Sequence, residues 1–239
     1  FVCLMRWMYM PKERKYLYWT LFLFGICFNN HQSLVVAAIG IEIGIAAANP
    51  RLGRDLFLGN SIVYVLGLIA KWNGAVTAFD ANLPLFIIYN SVGFCSVAAF
   101  VWLWSQTREM LTEWKPVVLM LLVWLVGLSF YFYMPLTSST NPPMNWGYPR
   151  TWDGFVHAFT RGQYERTNPT TSLFRFIQQM WLYVKGASQE FNPIILLIAL
   201  VPFGFFKRMA HRERAWLTGL TGIFFCLAVV LMILLNPPP

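Results

Sequence analysis

Residues 141–165 gather side chains that can do chemistry. They read Asn141-Pro-Pro-Met-Asn145-Trp146-Gly-Tyr-Pro-Arg150-Thr-Trp-Asp153-Gly-Phe-Val-His157-Ala-Phe-Thr-Arg161-Gly-Gln163-Tyr164-Glu165. Asp153, His157 and Arg161 follow one another at steps of four, so a helix places a carboxylate, an imidazole and a guanidinium on one face. A carboxylate can orient an imidazole, and the planar fork of arginine matches the oxygens of a phosphate. The same spacing also suits a solvated ladder of charges, worth only about a few tenths of a kcal/mol. Tandem prolines and Trp-Gly before Tyr-Pro restrict the backbone ahead of this helix. That describes a rigid loop, which either packs over the molecule or holds a ligand.

Three other groups belong beside it. Asn29-Asn30-His31-Gln32 interrupts two apolar runs. It suffices as the turn of a helical hairpin, and it can form one wall of a polar pocket if the long loop lies next to it. Lys71-Trp72-Asn73 and Asp80 fall on the same side of the chain's hydrophobic pattern. Glu42 stands well inside an apolar run, in Gly40-Ile-Glu42-Ile-Gly44. Carboxylates within a membrane are functional candidates, whereas small residues four apart also make a close-packing seam. Cys3, Cys27, Cys95 and Cys226 are scattered, as are His31, His157 and His211, so neither a zinc site nor a disulfide framework is expected. There is no glycine-rich phosphate loop, Ser-His-Asp arrangement or HExxH motif, and no metal or cofactor is expected.

The elements that must position these residues are hydrophobic. The 239 residues are 57% hydrophobic and 18% aromatic but only 12% charged, with a mean hydropathy of +0.53. A soluble domain carries about 25% charged residues. The composition therefore predicts an all-α, polytopic transmembrane helical bundle. Apolar runs cover residues 16–28, 33–48, 55–70, 83–104, 116–134, 192–206 and 214–235, which predicts about seven membrane helices, the first three and the sixth being short. Seven crossings would put Arg6, Lys12, Arg14, Lys15, Arg51, Arg54, Arg108, Lys115, Lys207, Arg208, Arg212 and Arg214 on one side, marking it cytoplasmic. The net charge of +8 thus serves orientation, and nucleic-acid binding is not expected. Residues 141–164 then face outward. Within them Thr151 can cap a short helix with Trp152, Phe155, Val156 and Phe159 on its apolar face. Farther on, Leu173, Phe174, Ile177, Met180, Trp181 and Val184 form a second stripe, suited to a helix lying on the outer leaflet. One transmembrane domain is expected over 1–239, with helices in 16–134, an extracytoplasmic loop in 135–191 and helices in 192–235. The chain runs from Phe1 to Pro239 without a visible signal peptide, which predicts a piece of a longer protein.

By themselves these residues indicate a multi-span protein with an outward ligand site, and no reaction. The loop motif, together with Gly25-Ile-Cys-Phe-Asn-Asn30-His31-Gln32, resembles a bacterial membrane family of C-type glycosyltransferases. This is family 117, which also contains the vertebrate transmembrane O-mannosyltransferase. The likeness spans roughly residues 16–165 and continues weakly beyond; other branches carry an acid where Tyr148 stands here. The resemblance implies transfer of a sugar, such as mannose, from a polyprenyl-phosphate donor to a hydroxyl of an exported protein or glycan. It places the protein in the bacterial inner membrane with its site facing the periplasm. It also implies that the main catalytic carboxylate lies before Phe1, with Asp153 and Glu165 as fallback bases. Arg150, Arg161 and Arg166 would meet the lipid phosphate. Asn145, Trp146, His157, Gln163 and Tyr164 would recognise sugar or acceptor, opposite Asn30 and His31. The alternative is a transporter or flippase for a lipid-linked or anionic solute. Such proteins usually show repeated halves and interrupted helices at the midplane, and no repeat is visible here.

Overall fold

A computed structural model describes residues 1–81, 83–145, 147–160 and 169–238. All regular structure among the described residues is helical. In chain order the helices are α1 (Val2–Tyr9), α2 (Lys15–Asn30), α3 (Ala37–Ala48), α4 (Pro50–Trp72), α5 (Ala78–Ala81), α6 (Leu83–Thr107) and α7 (Trp114–Leu128). They continue with α8 (Tyr133–Ser138), α9 (Trp152–Phe159), α10 (Leu173–Glu190), α11 (Pro193–Gly204), α12 (His211–Phe225) and α13 (Leu231–Leu235). Tight turns, Gln32–Val36 and Ser129–Phe132, join α2 to α3 and α7 to α8, and a π-turn, Cys226–Val230, links α12 to α13.

The hairpins are held by contacts that identify the two ends of the bundle. At one end Arg14 Nη2 meets Glu113 Oε2 at 2.7 Å, so α2 and α7 start together and run parallel. Arg54 and Asp55 reach Thr107, Thr112 and the backbone N–H groups of Leu111 and Glu113, which brings the α6–α7 connection to the start of α4. At the opposite end the Asn29 side chain donates to Gly127 O at 3.0 Å and the Tyr131 hydroxyl to Phe28 O at 3.2 Å. α12 runs antiparallel to α3, with Gly219 beside Gly44 and Ile223 beside Gly40. The basic connections expected on one side therefore do lie together, at the end opposite residues 29–32.

Glycines set the closest approaches. A Cβ on Gly127 would come within 2.3 Å of Phe22 O, and one on Gly25 within 2.5 Å of Trp124 O, so α2 and α7 touch backbone to backbone. The seam expected at Gly40 and Gly44 is real: a Cβ on Gly40 would lie 2.5 Å from the Ile223 Cα. Close van der Waals contact of this kind replaces the hydrophobic effect where lipid surrounds the helices.

Three expectations change. First, among the described residues four helices, Pro50–Trp72, Leu85–Thr107, Trp114–Ser138 and His211–Leu235, are long and apolar enough to cross a membrane. The pair α10 and α11, bent by 109°, makes a fifth if counted as one broken span. These helices mark an integral membrane protein, but α2, α3 and α11 fall short of the ~20 residues that a perpendicular crossing needs. Second, the segment before the first apolar run is not merely a charged connection. α1 buries Leu4, Trp7 and Met8 against Leu17, Ile45, Leu52 and Met120, so the packed core sits at the basic end. Third, α4 starts at Pro50 rather than at residue 55. Asn49 Oδ1 accepts from Leu52 N at 3.2 Å, and Pro50 fills the first helical position, where an N–H has no partner. Arg54 consequently lies inside a helix and is fully buried against Asp55, at 2.7 Å, instead of acting as a solvated orientation charge.

Candidate functional site

At the end away from the basic residues, the loop after α8 folds back on that helix. Ser138, 2% exposed, donates from Oγ to Asn145 Oδ1 at 2.7 Å, while Asn145 Nδ2 donates to the Ser138 carbonyl at 3.2 Å. The Arg150 backbone N–H donates to the same Ser138 hydroxyl at 3.2 Å. One small buried side chain thus closes both halves of the loop. Asn141 and Tyr148 adopt positive φ values of 48° and 47°, as does Gly147 at 71°. Glycine accepts this region freely; Tyr148 does so at a cost of about 1–2 kcal/mol. Its carbonyl accepts from Thr151 N at 3.1 Å, and it sits against Gly154, where a Cβ would come within 2.1 Å.

α9 begins at Thr151, whose hydroxyl accepts from Gly154 N at 3.1 Å, as the residue pattern predicts. Its apolar face packs on the turn after α7: Phe155 stacks on Phe132 with centroids 5.9 Å apart, and Phe159 meets Tyr131 edge-on at 4.8 Å. Gln32 Nε2 clamps this junction by donating to the Tyr131 hydroxyl at 2.9 Å and to Phe159 O at 2.6 Å. α10 is docked separately, through the buried Gln179. That side chain bonds Thr170, Asn236 and Pro237 O, while Leu173, Phe174, Ile177, Trp181 and Val184 stay exposed along the helix.

Between α8, the loop and α9 lies an open pocket of about 310 Å³. Met134, Thr137, Ser138, Pro142, Met144, Asn145, Gly147, Pro149, His157 and Ala158 line it. His157 therefore stands in the wall, beside Gly147. Asn145 is also in the wall, although its amide is engaged with Ser138. Arg150 does not line the pocket: it follows Pro149 of the wall, is exposed, and donates to Asn141 Oδ1 with its guanidinium 5.8 Å from the Tyr148 ring centroid. Asp153 is exposed one turn before His157, and no hydrogen bond joins the two among the described residues. Asn30 and His31 are exposed at the end of α2; His31 Nδ1 pairs with Ser33 Oγ at 3.0 Å, and neither residue lines the pocket. Trp146, Arg161, Gln163, Tyr164, Glu165 and Arg166 lie outside the described residues. Lys71 and Asp80 pair with each other at 2.7 Å rather than with the pocket.

Residue patterns did not single out Thr137, Ser138, Met134 or Met144. The one available signal was the run of hydroxyls in residues 137–140 directly after an apolar span. Chemically the pocket offers an imidazole, an amide, hydroxyls and apolar walls, with Arg150 next in sequence to Pro149 of the wall. It can hold a small polar group against a partly apolar surface. No group of three or more His, Cys, Asp or Glu side chains comes together as a metal site among the described residues. Comparison with family models, with curated proteins and with solved structures gives no match.

Proposed function

We propose that this outer pocket belongs to a membrane glycosyltransferase, which moves a sugar from a polyprenyl-phosphate donor to a hydroxyl on an exported protein or glycan. The observation that supports it is a coincidence of place. The loop bearing the resemblance builds the pocket, at the bundle end opposite the basic connections.

In this reading the sugar lies between Asn145, Thr137 and His157, and the Met134 and Met144 side chains cover its apolar face. Arg150 neutralises charge developing on the departing lipid phosphate. Attack by the acceptor oxygen on the anomeric carbon requires a base within hydrogen-bond reach of the hydroxyl proton. Asp153, on the His157 face of α9, fills that role unless an acid from elsewhere in the protein does. Arg161 and Arg166 would add further phosphate contacts, and the site would face the periplasm.

The test is sugar transfer by the purified protein in proteoliposomes, with a polyprenyl-phosphate sugar and an acceptor peptide. His157→Ala is expected to lower turnover about 10²-fold or more, the usual span for a positioned proton-transfer or binding group. Unchanged turnover removes His157 from the site. Solute uptake without transfer would establish the transporter or flippase instead.

A further inference from the structure

A second cavity, separate from the outer pocket, opens between α3, α4, α6 and the π-turn at the end of α12. It is a groove of about 360 Å³ whose walls are almost wholly apolar, including Val36, Ile39, Val63, Ile88 and Val92. The charged residue among the described lining is Glu42, beside the polar Asn60, Tyr64, Tyr89 and Ser96. Glu42 Oε2 accepts from Asn60 Nδ2 at 2.9 Å, and no Lys, Arg or His lines the groove among the described residues. α6 carries no charged residue, and residues 215–235 carry none either. An acid in so apolar a setting either takes up a proton or is met by a cation, and the described residues lining the groove supply none. The basic residues of α4 are Arg51, Arg54 and Lys71, which pair with Glu109, Asp55 and Asp80.

The neighbouring groups narrow what such a cation is. A bare metal ion asks for six or more oxygen ligands. Glu42 stands in no cluster of acids, imidazoles or thiols among the described residues, and the hydroxyls of Tyr64, Tyr89 and Ser96 donate to Asn90 Oδ1, Tyr64 O and Val92 O at 2.9, 2.8 and 2.9 Å. A lipid acyl chain would suit the walls but would leave the carboxylate uncompensated. An organic cation with apolar substituents satisfies both features. Tyr64 and Tyr89, with ring centroids 5.4 Å apart, line the groove, and aromatic side chains attract such a charge. The π-turn Cys226–Val230 contributes Val230 to the wall, and π-turns within α-helices recur at functional sites.

We infer that the groove at Glu42 binds a lipophilic organic cation that enters from the side of the bundle, independently of any sugar chemistry at the outer end. The probe is radiolabelled tetraphenylphosphonium on the protein in phosphatidylcholine nanodiscs, with empty nanodiscs subtracted. Saturable binding is expected, with the dissociation constant raised at least tenfold by Glu42→Gln. The neutral isostere tetraphenylmethane should fail to compete. Ala38→Phe, which fills the groove and leaves the carboxylate in place, should abolish binding; it carries the test if Glu42→Gln does not fold. Absence of saturable binding, unchanged affinity in Glu42→Gln, retention in Ala38→Phe or equal competition by tetraphenylmethane overturns the inference.

Discussion

Ser138 shows how much of the pocket between α8 and α9 depends on a side chain that does no chemistry. Its hydroxyl serves Asn145 and the Arg150 backbone at once. Ser138→Ala strands a half-buried amide oxygen and a backbone N–H, a loss of about 1–3 kcal/mol. The expected outcome is faster hydrogen exchange across residues 139–151, with the Arg150 amide accelerated about tenfold or more, while the helices keep their protection. Unaltered exchange at Arg150 would mean that backbone restriction alone holds the loop. The motif was legible as a rigid, proline-bearing segment because proline and glycine act locally. Its anchor was not, because a lone serine after an apolar span has no pattern of its own.

At the scale of elements, two joints decide the bundle, and both are open to substitution. Along α2 and α7, Gly127→Val places branched carbon against Phe22 O, where even a Cβ lies at 2.3 Å. The helices must separate, and thermal unfolding in detergent is expected to drop by about 1–3 kcal/mol equivalents, the usual cost of overpacking. At the start of α4, Asp55→Ala leaves Arg54 buried without its partner and also frees the N–H groups of Leu111 and Glu113. A loss of about 3–5 kcal/mol is expected, larger than for the glycine, because an uncompensated buried charge outweighs a steric shift. A double variant, Arg54→Met with Asp55→Ala, should recover part of that loss. The seam at Gly40 and Gly44 could be read from spacing, as could the Thr151 cap, since both are rules about residues within one turn. The Asn49-Pro50 start was written in equally local terms, yet the two arginines after it drew the reading toward a loop. Burial of Arg54 rests on Thr107 and Thr112, more than fifty residues away, and nothing near Arg54 announces them.

For the whole molecule, orientation in the bilayer is the property on which the proposed sugar chemistry rests. Met144→Cys, at an exposed position of the pocket loop, should react with a membrane-impermeant maleimide from outside the cell. Cysteine at Lys12, at the basic end, should react only after the membrane is opened. The reverse pattern would turn the pocket toward the cytosol and withdraw a periplasmic polyprenyl donor. The residue order alone determined that the chain is helical and bound to a membrane, that its basic connections gather at one end, and that polar chemistry gathers at the other. Those features follow from composition and from periods of a few residues. Tertiary structure decided that α1 is core, that Ser138 closes the pocket loop and Gln32 holds α9 in place while Asn30 and His31 do not line the pocket, and that Glu42 opens into a groove. Each of these depends on helices brought together from distant parts of the chain, and contact between distant residues leaves no periodic trace in the segments that make it.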